Sequence, residues 1–212
     1  MIFDLWDTLV DFDPVAGRAF QDRVAGRLGR DPDEFAAVWL EGRSVRESGT
    51  LRDYLLEIGA TDELVDELVA MRRDSTRGLL VPRPGAVETL AQLRDRGYRV
   101  GLITVCSEDV PDVWSETPFV DLFDATVFSC SVGLRKPDLR IYQLACEQLG
   151  VEPAEAIFVG DGANDELAGA ERFGMRAVLI HRAGEEPPWD EVRDWQGPRI
   201  TAIPQVMSLL DE

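Results

Sequence analysis

The chain has 212 residues, enough for one domain, or a core with one insert, around a sizeable apolar interior. Its formal net charge of −18, from 40 acidic and 22 basic residues, argues against nucleic acids and anionic membranes as partners. No run approaches the ~18 consecutive apolar residues of a membrane span. No basic segment precedes an apolar one at the start, so we expect a cytoplasmic protein without a secretory signal.

The first part of the chain predicts one strand followed only by helices. Residues 1–5 are strand-like, and only three residues precede Asp4, so either this strand is short or the true start lies upstream. From about residue 12 to residue 77, apolar residues recur at helical spacing. The four predicted helices cover residues 14–28, 32–40, 51–58 and 61–77.

After VPRPG (81–85), helices and apolar runs alternate to the end of the chain. Strands are predicted at 98–104, 125–129, 156–161, 176–180 and 200–204, and helices at 86–97, 138–149, 167–173 and from 205 to the end. This alternation predicts an α/β fold, a Rossmann-like parallel sheet covered by helices on both faces. The core would comprise 1–12 and 82–212, and 13–81 would be an inserted helical cap. The polar, proline-rich stretch 183–198 is expected to be a surface loop.

Polar side chains follow the predicted strands at the edge where parallel sheets bind their ligands. They are Asp4 after the first strand, Thr104 at the end of the second, Asp161, Asp165 and Glu166 after the fourth, and Lys136 in the loop SVGLRKPD. Lys136 is the single lysine among the 22 basic residues, which indicates a position that needs a compact ammonium group. We expect these groups to converge on one site.

The chemistry of such a cluster is specific. Carboxylates at this density repel one another and need a cation, and hard oxygen ligands suit Mg²⁺. A carboxylate can also attack phosphorus or carbon to form a covalent intermediate. A lysine and a hydroxyl would bind the incoming anion, so the expected partner is a small anionic substrate.

Four segments, in order, resemble the motifs of the haloacid dehalogenase (HAD) superfamily: FDLWDTL, GLIT, RKPD and VGDGANDELAGA. The helical stretch 13–81 lies where members of the helical-cap subfamily carry their cap. The resemblance implies that Asp4 is the nucleophile, that Lys136 orients it, and that Asp161 reaches Mg²⁺ directly or through water. By the same resemblance Thr8, Thr104 and Lys136 would bind phosphate, and the backbone carbonyl of Trp6 would bind the metal.

The second acid of the last motif is ambiguous. Asp165, four places after Asp161, matches the family form, whereas counting back from Gly169-Ala170 favours Glu166. Both residues are candidate metal ligands.

The sequence departs from the phosphatase pattern at two positions. Trp6 stands where phosphatases of the family carry an aspartate that protonates the leaving group, and Val105 stands where asparagine is usual. Asp7 lies one residue after the position at which that aspartate would protonate the leaving group. The favoured function is a Mg²⁺-dependent phosphatase of a small phosphorylated metabolite.

Two alternatives remain beside the phosphatase. The dehalogenase branch carries an aromatic residue at the place of Trp6, so a 2-haloacid dehalogenase is one. The other is a catalytically weakened binding member of the superfamily. In the cap, Arg18, Arg43 and Arg46 are candidates to bind an anion, although we expect most of them to be solvated.

Overall fold

The structure is a computed structural model that describes residues 1–185, 187 and 189–210. Its described residues form a six-stranded, fully parallel sheet with the strand order β3-β2-β1-β4-β5-β6. The strands are β1 (Ile2–Phe3), β2 (Gly101–Thr104), β3 (Ala125–Phe128), β4 (Ile157–Gly160), β5 (Arg176–Ile180) and β6 (Arg199–Ile200). The predicted α/β, Rossmann-like fold is confirmed, and the first strand is central despite its two residues.

Between β1 and β2 the chain first forms five helices. They are α1 (Pro14–Leu28), α2 (Pro32–Glu41), α3 (Arg43–Arg46), α4 (Leu51–Glu57) and α5 (Asp62–Leu79). Local chemistry sets the starts of α1 and α2. The side chains of Asp13 and Asp31 accept hydrogen bonds from backbone N–H groups of the first turn, and a proline follows each aspartate. The four predicted helices match α1, α2, α4 and α5 to within two residues at each end, and only the four-residue α3 was not predicted.

Four of these helices, α1, α2, α4 and α5, enclose a hydrophobic cluster of their own. Its largest fully buried members include Phe20, Phe35, Leu55 and Leu68. The two ends of the inserted segment meet at a bridge between Val10 and Pro82. We call residues 13–81 the cap, as the sequence analysis defined it.

The remaining helices cover the two faces of the sheet. They are α6 (Ala86–Asp95), α7 (Asp109–Val113), α8 (Ser129–Val132), α9 (Leu139–Leu149) and α10 (Glu166–Phe173). Within β1, Ile2 belongs to the cluster that includes α9 and α10, whereas Phe3 belongs to the cluster that includes α6. Both faces of the strand are therefore buried, which explains its uninterrupted apolar run.

The end of the chain differs from its prediction. A strand is expected at 200–204, but the strand found there is Arg199–Ile200. A 3₁₀ helix at Ile203–Leu210 stands in place of the helix expected from 205 to the end, and residues 211 and 212 lie outside the described residues. The side chain of Gln205 accepts hydrogen bonds from the backbone N–H groups of residues 201 and 202, which turns the chain out of the sheet. The predicted loop 183–198 contains only a 3₁₀ turn, Asp190–Val192, and positions 186 and 188 lie outside the described residues.

None of the helices in the described part of the chain is both long and apolar enough to cross a membrane.

The cap core allows a test of its packing. Leu55 is fully buried, whereas Leu40, also on a cap helix, is 69% exposed. Leu55→Ala should lower the free energy of unfolding by about 2–5 kcal/mol because it removes buried methyl groups and leaves a cavity. Leu40→Ala should change it by less than about 0.5 kcal/mol. Urea denaturation measures both, and equal losses would contradict this arrangement of the cap.

Candidate active site

The centre of the site is an ammonium group held between two carboxylates. Lys136 Nζ donates hydrogen bonds to Asp4 Oδ1 and Glu166 Oε2, both at 2.5 Å. The three residues are at most 5% exposed. Carboxylate oxygens of Asp4, Asp161 and Glu166 lie within 4.8 Å of one another, so the three acids form one buried cluster.

Sheet topology brings these acids together. Asp4 and Asp161 each directly follow the last residue of neighbouring strands, β1 and β4. The N–H of Asp4 donates to the carbonyl of Val159 at 2.9 Å, which fixes the start of the loop that carries the carboxylate. Thr104 ends β2 on the other side of β1. The convergence expected at the carboxyl ends of the strands is therefore present for Asp4 and Asp161, whereas for Thr104 it is shown only by the position of its strand.

Glu166, and not Asp165, belongs to the cluster. Residues 162, 164 and 165 adopt left-handed backbone conformations, with φ of 94°, 56° and 55°. This turn leaves Asp165 exposed and begins α10 at Glu166, whose Oε1 accepts a hydrogen bond from the N–H of Gly162 at 2.9 Å. Asp165 is therefore a poor candidate for the second acid of the motif.

The hydroxyls of Thr8 and Thr104 are buried, and neither has a hydrogen-bond partner among the described residues. Buried hydroxyls are ordinarily paired, so each has donor capacity that the described protein groups leave unused. Neither threonine is among the described residues that line the cavity beside the acids; after β2 that lining is Val105, Cys106 and Ser107.

Trp6 and Asp7 line the same cavity. The Trp6 ring meets Phe12 edge to face, with ring centroids 6.3 Å apart. Asp7 has a φ of 52° and accepts a hydrogen bond from the N–H of Phe12, and burial raises the pKa of its carboxyl above the ordinary value. The Asp7 carboxylate also lies 3.6 Å from the Arg83 guanidinium. Asp7 is thus tied to the loop that follows Asp4.

Trp189 is a site residue that the sequence analysis did not identify. Its indole Nε1 donates to Asp161 Oδ2 at 2.5 Å, and its side chain lines the cavity. It comes from the stretch 183–198, which was expected only to be a surface loop. Its spacing from the last motif gives no signal, because the contact depends on how this irregular segment folds back.

Electrostatics favour a cation at this cluster. Burial raises the pKa of Asp4 and, more strongly, that of Glu166; the charge of Lys136 opposes this rise and Asp161 adds to it. Burial alone would lower the pKa of Lys136, but the charges of Asp4 and Glu166 raise it above its ordinary value. In their charged forms the three acids and Lys136 would carry a net charge of −2, which a divalent cation would balance.

The acids open into a cavity of about 350 Å³ between the core and the cap. Its cap-side lining includes Trp39, Arg43, Arg46 and Arg72. The expectation that most of the candidate arginines are solvated holds for Arg18 and Arg43, which are exposed, and is wrong for Arg46, which is buried.

Comparison with known proteins decides the family. The family model of haloacid dehalogenase-like hydrolases matches residues 1–174. The chain belongs to this family of hydrolases. The resemblance to the HAD superfamily seen in the four sequence motifs is therefore confirmed.

Individual relatives of this HAD-like hydrolase include both dehalogenases and phosphatases. This chain is 29% identical over 205 residues to (S)-2-haloacid dehalogenase 4A of Burkholderia cepacia, and the match covers 89% of this chain and 85% of the relative. It is 32% identical over 196 residues to glyceraldehyde 3-phosphate phosphatase of Methanopyrus kandleri, covering 86% and 83%. The crystal structure of an HAD phosphatase from Thermococcus onnurineus matches with a TM-score of 0.72 at 26% identity, covering 99% and 96%.

A glycine beside the cluster provides a test of the site's packing. A Cβ added at Gly160 would lie 2.1 Å from Glu166 Oε1, whereas one added at Gly78, within α5, would meet nothing within 4 Å. Gly160→Ala should lower the free energy of unfolding by about 1–3 kcal/mol because the buried carboxylate must move. Gly78→Ala should raise it by about 0.5–1 kcal/mol. If chemical denaturation shows Gly160→Ala to be as stable as the wild type, Glu166 does not occupy this position.

Proposed function

We propose that this HAD-like hydrolase is a Mg²⁺-dependent phosphatase of a small phosphorylated metabolite, acting through an aspartyl-phosphate on Asp4. The observation that supports this most is the buried cluster of Asp4, Asp161 and Glu166 around Lys136. A carbon-centred hydrolase that displaces halide has no need of the additional acids.

The donor set fits Mg²⁺, which prefers carboxylate and carbonyl oxygens. Asp4 and Asp161 would hold the ion, with Glu166 and the backbone carbonyl of Trp6 as further ligands. Each carboxylate oxygen has two acceptor positions, so the hydrogen bonds from Lys136 and Trp189 leave capacity for a metal. When bound, Mg²⁺ would supply positive charge that offsets the acids and screens the incoming phosphate.

The protein groups divide the chemistry between them. A carboxylate oxygen of Asp4 attacks phosphorus as the bond to the leaving oxygen breaks, which gives the aspartyl-phosphate. Lys136 holds the Asp4 carboxylate in place, and the unpaired hydroxyls of Thr8 and Thr104 are the donors proposed for the phosphoryl oxygens. Water then attacks the aspartyl-phosphate, releases inorganic phosphate and restores Asp4.

Trp6 limits the leaving group, because an indole cannot protonate a departing alkoxide. Aryl or acyl phosphates, which leave as weaker bases, should therefore be turned over better than simple alkyl phosphates. The carboxyl of Asp7 is committed to the N–H of Phe12 and lies near Arg83, so we do not assign it the acid's role.

Hydrolysis of p-nitrophenyl phosphate tests this function. Activity should require Mg²⁺, should disappear when EDTA removes the metal, and should fall by roughly 10³-fold or more in Asp4→Asn because the nucleophile is lost. Glu166→Gln should impair activity far more than Asp165→Asn, since only Glu166 belongs to the cluster. Thermal unfolding of each variant checks that the fold is intact. No turnover with or without Mg²⁺ would refute the phosphatase.

Trp189 offers a second readout that does not depend on turnover. Because its indole bonds to Asp161, Mg²⁺ binding at this acid should change the tryptophan emission. Trp189→Phe should reduce that change, and the remainder would come from Trp6, which lines the same cavity. Trp195→Phe is the matched control, since Trp195 lies in the same segment but donates to the carbonyl of Pro198. An identical response in all three proteins would place the ion away from Asp161.

A 2-haloacid dehalogenase is the second candidate, favoured by the aromatic Trp6 in the cavity and by the similarity to the Burkholderia cepacia enzyme. In that reaction Asp4 would attack carbon and release halide, a leaving group that needs no protonation. Chloride release from 2-chloropropionate without metal would support it. Failure of both assays would leave a binding member of the superfamily.

A further inference from the structure

Three arginines from the cap line the cavity, and they differ in how their charges are balanced. Arg43 pairs with Glu47 at 2.6 Å, and Arg72 pairs with Asp109 at 2.9 Å. For Arg46, no carboxylate oxygen among the described residues lies within 4.0 Å of the guanidinium. Glu47, its neighbour in the chain, is already paired with both Arg43 and Arg135.

Arg46 is nevertheless buried, at 5% exposed. Its guanidinium carbon lies 3.8 Å from the centroid of the Trp39 ring and 5.0 Å from that of Tyr54. One guanidinium nitrogen donates to the carbonyl of Trp39 at 2.5 Å, while Nε has no hydrogen-bond partner. The two rings and the carbonyl therefore fix the side chain in orientation without neutralising its charge.

That charge is present under physiological conditions. Burial lowers the pKa of Arg46 to about 10, although the charge of Glu47 opposes this fall, and the group is still protonated at neutral pH. A buried cation without a counter-ion is unfavourable, and an anion bound in the adjoining cavity would remove the deficit. A planar, pre-oriented guanidinium is well suited to bind the two oxygens of a carboxylate or phosphate.

We propose that Arg46 binds a second anionic group of the substrate, so that the preferred ligands carry a phosphate at the Asp4 end and a carboxylate or second phosphate at the cap end. This rests on the proposed phosphatase function, because Asp4 and Lys136 receive the first phosphate. Both Asp4 and Arg46 line a single cavity whose 350 Å³ lies near the lower limit of typical ligand sites, about 300–1,000 Å³. The substrate is accordingly a small molecule, and the spacing of its two anions is a criterion for selection.

Non-hydrolysable phosphonates test the assignment by calorimetry in the presence of Mg²⁺. Phosphonoacetate carries a carboxylate where ethylphosphonate carries a methyl group, and 1,3-propanediphosphonate tests the second phosphate. The wild type should bind at least one of the two doubly anionic probes roughly 10-fold or more tighter than ethylphosphonate. Arg46→Gln should reduce that preference to less than about 3-fold. Arg23→Gln, a change at an exposed cap arginine outside the cavity, should retain it.

The outcomes separate this assignment from the phosphatase itself, because binding of phosphonates requires no turnover. An Arg46-dependent preference without hydrolysis of p-nitrophenyl phosphate would support the anion site and refute the phosphatase. Hydrolysis with no preference in the wild type, or with a preference unchanged in Arg46→Gln, would overturn the role of Arg46. If Arg46→Gln does not fold, Arg46→Lys replaces it, and its preference should fall below that of the wild type because a lysine cannot present the planar donor pair.

Discussion

The site depends on the ammonium of Lys136, buried between the carboxylates of Asp4 and Glu166. Either acid alone would be an isolated buried charge, and the lysine without them would be the same. The three groups are therefore stable only together, which ties the loop after β1, the loop before α9 and the start of α10 into one geometry. A lysine suits this place because its compact charge can serve two acids, whereas a guanidinium is larger and planar.

Much of this arrangement follows from local rules that a sequence displays. The parallel sheet was predictable because helical and strand-like runs alternate along the chain. In the cap, the starts of α1 and α2 were predictable because an aspartate followed by a proline is typical of a helix N-terminus. The convergence of Asp4, Asp161 and Lys136 was predictable because strand ends share one edge. The choice between Glu166 and Asp165 was harder, because the spacing from Gly169-Ala170 favoured Glu166 whereas the family form favoured Asp165. The left-handed turn at residues 162, 164 and 165 decides for Glu166, and spacing does not predict that turn.

Two features of the site were not predictable, for the same physical reason: the contact of Trp189 with Asp161, and the burial of Arg46, which was already a candidate to bind an anion. Trp189 reaches Asp161 from 28 positions away, through a segment without periodicity. Arg46 was expected to be solvated because isolated arginines usually are, and its burial results from the packing of Trp39 and Tyr54 around it. In both cases the contact is decided by tertiary packing, which no local pattern encodes. Each of these residues lies at the cavity, where such departures from ordinary preferences concentrate.

An anionic substrate would have to bind to a chain that is strongly acidic as a whole. A net charge of −18 should repel anionic metabolites, but salt screens surface charges beyond about 8–10 Å at physiological ionic strength. Inside a low-dielectric cavity the nearest charges dominate. At one end Lys136 lies among Asp4, Asp161 and Glu166, so this end needs the proposed divalent cation before it can accept an anion, and at the other end Arg46 is a cation without a paired carboxylate among the described residues. If the proposed cation is bound, an entering anion exchanges a weak, screened repulsion for attraction by that cation, and the proposed role of Arg46 adds a second attraction for a molecule with negative charge at both ends.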